Sequence, residues 1–296
     1  MKRGPRGPGM LRVIGAVAWR IRYDLLAVLA VAAVMTVLVD VLPLQSAGAV
    51  VPLLGTVVSI FIGFRNSNAY ARWWEARTLW GGVIANGRAL SNALTAVAEQ
   101  TPESIAIADR IRRRQVRHAW ELAAELRGVP TPAAVAALTP EDPAGVSSGD
   151  LLARQAADIG EMTRAGMVDM QGRTVLVNLN TAQAGTAGGL ERIRRQPIPR
   201  YYDVFIRVLA WFFAFMVCTR VDGGAHDGLF GIVVGILIMT LFIVAERLGA
   251  LLEEPMSDNV FGLPMDRFCE VLTADLLGRA NPLTQTGGAE LKSPRR

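Results

Sequence analysis

Lysine, histidine and cysteine each occur only twice in the 296 residues, and each scarcity removes a class of function. Two cysteines, Cys218 and Cys269, cannot build a disulfide framework, and Cys218 falls in an apolar run where a thiol behaves as a small hydrophobe. Two histidines far apart in sequence, His118 and His226, leave no zinc site and little general-base chemistry. No serine or cysteine nucleophile has a base near it in sequence. Gly185-Thr186-Ala187-Gly188-Gly189 lacks the Lys-Ser/Thr pair of a phosphate-cradling loop. Enzyme chemistry, a metal and an organic cofactor are therefore not expected. Charge is also sparse: charged residues make up 19%, against about a quarter in a typical soluble domain. Hydrophobic residues reach 51%, mean hydropathy is +0.31 and the pI is about 9.7, so apolar surface must face something other than water.

Four stretches have membrane-spanning length, for which roughly 17–25 mostly apolar residues are needed. They are Leu25 to Leu44, interrupted by Asp40; Ala47 to Phe64, free of charge; Tyr201 to Thr219, holding Asp203 and Arg207; and Leu229 to Ala245, ending at Glu246 and Arg247. Residues 1–23 carry Lys2, Arg3, Arg6, Arg12, Arg20 and Arg22 and no acid, and Arg65, Arg72 and Arg77 follow the second stretch. The positive-inside rule then places both termini and the segment 65–200 in the cytoplasm. The first apolar run is a full span rather than a short stretch ending at a small-residue cleavage site, so it reads as an uncleaved inner-membrane anchor. The expected organisation is a basic N-terminus (1–23), a first membrane pair (24–84), a cytosolic helical domain (85–200), a second membrane pair (201–247), a cytosolic helical segment (248–278) and a disordered tail (279–296).

The middle of the chain is different material. Between Arg65 and Arg200 stand 17 arginines against 13 acids. Ile105–Arg127 reads as an amphipathic helix with Ile107, Ile111, His118, Leu122 and Leu126 near one face. The run Arg112–Arg114 is expected to be a solvated face, with lipid headgroups or phosphate as the sharper alternative. Gly128–Gly149 reads as a loop, Leu151–Met170 as a helix, and Val175–Thr186 as helix rather than strand. No nucleic-acid partner is expected, and no repeat of solenoid period is present.

In the second span, Thr56, Ile60 and Phe64 recur every four residues, on one helix face. Such a stripe ordinarily faces lipid or packs; repeated around a symmetry axis it makes an apolar constriction that gates by dewetting. Asp203 and Arg207, four apart, can pair across a helix turn or face a vestibule. Gly231 and Gly235 would permit close helix approach.

The run Phe64-Arg65-Asn66-Ser67-Asn68-Ala69-Tyr70-Ala71-Arg72-Trp73-Trp74-Glu75-Ala76-Arg77, with Trp80-Gly81 behind it, resembles the prokaryotic branch of the bestrophin family. Pro197-Ile198-Pro199, Glu253-Glu254-Pro255 and Asn259 to Asp266 extend the resemblance over roughly residues 15–278. It implies an all-α, four-span protein with a cytosolic helical domain, assembling as a ring-shaped homopentameric channel for small ions in contact with membrane lipid. It puts the pore neck at Thr56, Ile60 and Phe64 and a cytosolic aperture at Ile198. Family members usually carry bulky apolar groups at all three neck positions, so Thr56 implies a wetter outer ring. The family's calcium clasp rests on consecutive aspartates; here Asp258, Asn259 and Asp266 are scattered, which speaks against calcium gating. Trp73 and Trp74 are expected to pack rather than cage a ligand, and Arg65 to point about 100° away from Phe64. Chloride is the first expectation. A sodium- or potassium-permeable pore of the same architecture, and a non-conducting scaffold or sensor, are the alternatives.

Overall fold

A computed structural model describes residues 15, 17–41, 50–196, 199–218, 228–259 and 261–284. Among these residues the secondary structure is helical throughout, with nine helices: α1 (Arg22–Val41), α2 (Val50–Val97), α3 (Pro102–Arg127), α4 (Ala133–Ala136), α5 (Ser148–Arg164), α6 (Met170–Arg195), α7 (Arg200–Cys218), α8 (Gly228–Leu252) and α9 (Met265–Leu277). Three carry a stretch long and apolar enough to cross a membrane, within Val50–Val97, Tyr201–Cys218 and Phe230–Leu252. The first expected span reaches Leu44, beyond the described end of α1.

The chain divides into two compact units. The first comprises Met1–Trp73, Ile198–Glu254 and Asn259–Phe261; the second comprises Trp74–Pro197, Pro255–Asp258 and Gly262–Arg296. The division falls inside α2, a helix that runs on for 48 residues.

In the first unit, α1 packs on α7 and α8, and these two on each other. Its core holds Val28, Met35, Val58, Ile62, Ile206, Ala210, Phe213, Val217, Met239 and Ile243. The Phe213 and Phe242 rings lie 4.6 Å apart, and Phe61 meets Phe205 edge-on at 5.6 Å. The outer faces are as apolar as the core: Leu26, Val37, Val208, Phe212, Phe230, Leu237 and Leu241 are all exposed. Single exposed hydrophobes are ordinary, but continuous apolar helix faces call for an apolar surrounding.

The second unit is built on α3, which packs against α5, α9 and α6. Its core joins Leu90, Leu94, Ile107, Ile111, Ile159, Met162 and Leu176. The helix starts are capped as their sequences suggest: the side chains of Thr101, Ser147 and Asp169 accept from the amides of Ser104, Asp150 and Gly172. Gly128 closes α3 in the left-handed region at φ 69°, where a side chain would be strained. The expected helix Leu151–Met170 stops at Arg164, because Gly166 adopts φ 74° and turns the chain into α6. After α9, Leu283 is buried, and its amide donates to Asn281 Oδ1 at 3.1 Å.

The arginine run of α3 is not a solvated face. Arg114 is buried between Asp142, at 2.8 and 3.0 Å, and Asp158, while Arg112 reaches Ser91, Thr95 and Asp109. Arg113 donates to Leu138 O at 3.1 Å. One turn on, Arg117 is fully buried and hydrogen-bonds the carbonyls of Thr139, Pro143 and Ala144, so it holds the loop that follows α4. Folding back that loop carries acidic partners to α3, which a helical wheel cannot show.

Candidate functional site

The first half of α2 has two unlike faces. Val58, Ile62, Arg65 and Ala69 are buried, at helical spacing, against the rest of the first unit. Thr56, Ile60 and Phe64 lie on the opposite side and are exposed, Ile60 by 51% and Phe64 by 64%. The three expected neck residues therefore share one outward face that this chain leaves uncovered. Thr56 Oγ1 donates to Pro52 O at 3.0 Å, so its hydroxyl hydrogen is used within the helix while its oxygen keeps acceptor capacity. Ile198, the expected aperture, lies outside the described residues.

Arg65, the residue after Phe64, is the best-satisfied charge in the unit. It is 1% exposed. Its Nε donates to Glu253 Oε1 at 2.8 Å, its Nη1 to Glu246 Oε1 at 2.6 Å, and its Nη2 to Asp203 Oδ1. Nη1 also lies 3.3 Å from the Glu246 carbonyl. A planar guanidinium thus meets three carboxylates, from α7, from α8 and from the bend after α8, in a geometry that Lys could not reproduce. Around it, Arg247 Nη2 reaches Asp24 Oδ1 at 2.5 Å. Arg207 stands 3.8 Å from both Asp203 and Glu246. The pair expected within α7, Asp203 with Arg207, is therefore the weaker contact, and the short one runs to Arg65. Asp203 and Glu253 are separated from Arg65 by 138 and 188 residues, which is why local spacing did not show them as partners.

The other motif residues tie α2 to the same neighbours. Asn66 Nδ2 donates to Ala245 O at 3.1 Å, and Arg72 Nε to Glu253 O at 3.1 Å. A Cβ added at Gly249 would collide with Asn66 Oδ1, so the glycine is what lets α8 approach this side chain. Trp73 packs as expected, its ring stacked on Tyr70 at 6.2 Å and its Nε1 donating to Phe261 O at 2.7 Å. Trp74 is 55% exposed, so the expected packing is only partly met within this chain. Asn68 is exposed on the neck side. Glu75, in the second unit, pairs with Arg192 at 2.5 Å.

Among the described residues no group of three or more His, Cys, Asp or Glu is placed to hold a metal ion. Cys218 and Cys269 are free and buried, and burial pushes the Cys269 thiol well above its usual range. His118 is fully buried; its Nδ1 donates to Ser148 O at 2.9 Å, while Nε2 has no partner. Burial lowers its pKa to about 4, only partly offset by the bond to Ser148 and the charge of Glu125. A neutral, enclosed imidazole of this kind is a core residue. The Asp142 carboxyl is held below the usual carboxylate range: burial opposes its charge, and the Arg114 guanidinium more than compensates.

Comparison with known proteins bears on the family and the fold. Residues 2–278 match the family model described as bacterial/fungal bestrophin protein. A voltage-dependent anion channel-forming protein of Synechocystis is 28% identical over 246 residues, covering 79% of this chain and 77% of that protein. The voltage-dependent anion channel-forming protein YneE of Escherichia coli K12 is 29% identical over 238 residues, 76% of this chain and 74% of that one. The crystal structure of a bacterial bestrophin homologue from Klebsiella pneumoniae superposes with a TM-score of 0.79 at 25% identity, over 88% of this chain and 98% of that one. With the family model spanning nearly the whole chain and the fold shared, the protein belongs to the bacterial/fungal bestrophin family.

Proposed function

We propose that this chain is the subunit of a homopentameric anion channel of a bacterial inner membrane, with both termini in the cytoplasm. The relatives' names as anion channel-forming proteins support the class of activity. The observation that carries it is the exposed stripe Ile60–Phe64 on a helix whose other face is pinned by a buried arginine. Five such stripes around one axis make an apolar neck. Water leaves a narrow apolar constriction readily, so the neck opposes ion entry when closed and sets the rate when wet. Chloride is the proposed ion. Five Phe64 rings offer their positive edges to a passing anion, and no charged side chain occupies the stripe, so discrimination is modest; flow is passive and follows the electrochemical gradient. Thr56 makes the outer ring less apolar and lowers the barrier there. Calcium plays no part in this proposal, because the acids after α8 are scattered in sequence.

Ala substitutions at Ile60 and Phe64 test the reading in a planar bilayer. A neck predicts larger or leakier current from a pentamer of unchanged size. Current like that of the parent protein, or loss of assembly, would show that the stripe is a packing surface instead.

A further inference from the structure

We propose that Arg65 is a positioning residue for the pore: its three-carboxylate clasp sets the rotation of α2 and so aims Phe64, and with it Ile60, at the axis. The inference rests on the neck reading above.

Consecutive residues on a helix point about 100° apart, so whatever fixes the direction of Arg65 also fixes that of Phe64. One ion pair would leave α2 free to roll, because a single contact pivots. Arg65 instead meets Asp203 on α7, Glu246 on α8 and Glu253 beyond it, around three edges of one rigid plane. Two further side chains of α2 add to the hold: Asn66 Nδ2 donates to Ala245 O and Arg72 Nε to Glu253 O. Rolling the helix by about 20° would move a phenylalanine ring, centred about 6 Å from the helix axis, by about 2 Å. Five such displacements around a narrow opening change its width by more than the size of an ion's contact. The centre of the clasp is also dry. Arg65 and Glu246 are both nearly inaccessible, so a roll of α2 that drew the guanidinium off Glu246 would leave that buried carboxylate only the longer contacts to Arg207 and Arg247, at 3.8 and 3.6 Å. The bulky, weakly hydrated neck is thus aimed by a charge cluster that never touches the ion.

The experiment is a double-mutant cycle on the full chain in planar bilayers, reading conductance and the reversal potential under an NaCl gradient, with size-exclusion chromatography as the assembly check. Arg65→Gln is expected to raise conductance severalfold and move the reversal potential toward zero, as Phe64→Ala does. Arg65→Lys should restore part of the parent behaviour. In the Phe64→Ala background, Arg65→Gln should add nothing, because the ring it aims is gone. A role confined to stability would instead lower the yield of pentamer in both backgrounds and leave the permeation of the surviving channels unchanged. If Arg65→Gln does not assemble, Glu253→Gln, which loosens one arm, carries the same cycle. Normal permeation in assembled Arg65→Gln or Glu253→Gln, or effects that add to those of Phe64→Ala, would overturn the positioning role while leaving the neck intact. Phe64→Ala channels indistinguishable from the parent would overturn the neck itself and the positioning role with it.

Discussion

Lowering the pH should weaken the second unit through one residue, His118, and the window can be placed from the structure. The imidazole is fully buried in α3, its Nδ1–H spent on Ser148 O and its Nε2 facing no donor. Its folded pKa is about 4 against an ordinary 6.5. The unfolded chain therefore binds a proton that the folded chain resists, and the resulting stability is fully present above about pH 6.5. It is lost as pH falls from there toward 4, and the full loss amounts to about 3 kcal/mol. Between pH 7 and 5 the share is about 2 kcal/mol. Asp142 acts elsewhere on the scale: its lowered pKa contributes stability that disappears only as pH falls below the ordinary carboxylate value of 3.8. Denaturant unfolding of the detergent-solubilised protein at pH 7 and pH 5, parent against His118→Gln, isolates the effect. Glutamine keeps an N–H for Ser148 and does not titrate, and His226 is common to both proteins. The parent should lose about 2 kcal/mol more than the variant. Equal losses would refute the argument that burial holds this imidazole neutral.

Other consequences follow from the same packing. Gly249→Ala should lower thermal stability and pentamer yield, because the added methyl drives Asn66 off the Ala245 carbonyl; an unchanged melting temperature would show that α2 and α8 can part at no cost. Arg114→Ala should cost about 3 kcal/mol in denaturant unfolding, near the low end for a broken buried pair, since Asp142 keeps Arg154 and Asp158 keeps Arg110. Thr56→Val should reduce single-channel conductance severalfold by drying the outer neck ring while leaving assembly unchanged, and an equal or larger conductance would remove Thr56 from the ion path.

Much of this was legible in the sequence because it depends on local pattern. Ile107, Ile111, Leu122 and Leu126 marked α3 by their spacing, and the four-residue recurrence of Thr56, Ile60 and Phe64 put them on one face. The apolar runs marked the helices fit to cross a membrane, three of which stand among the described residues. Non-local charge was not legible. Arg65 and Arg114 look alike on paper, each an arginine beside polar neighbours, yet both are buried in carboxylates delivered by segments far away in sequence. Glu253 stood in a recognisable motif with no hint of its partner. The only available signal was a shortage: few charges in a chain of this length, so that an arginine beside an apolar span had to be paired. Helix ends fared in between. Thr101, Ser147 and Asp169 are residue types suited to capping, but the turn at Gly166 was hidden inside an otherwise helical pattern.

The central claim, an anion-conducting pore lined at its neck by Thr56, Ile60 and Phe64, meets its most direct test in the reversal potential of the purified protein under an asymmetric NaCl gradient. The account predicts reversal near the chloride equilibrium potential. Reversal near the sodium potential would contradict it, and the absence of any current from a correctly assembled protein would contradict the pore itself.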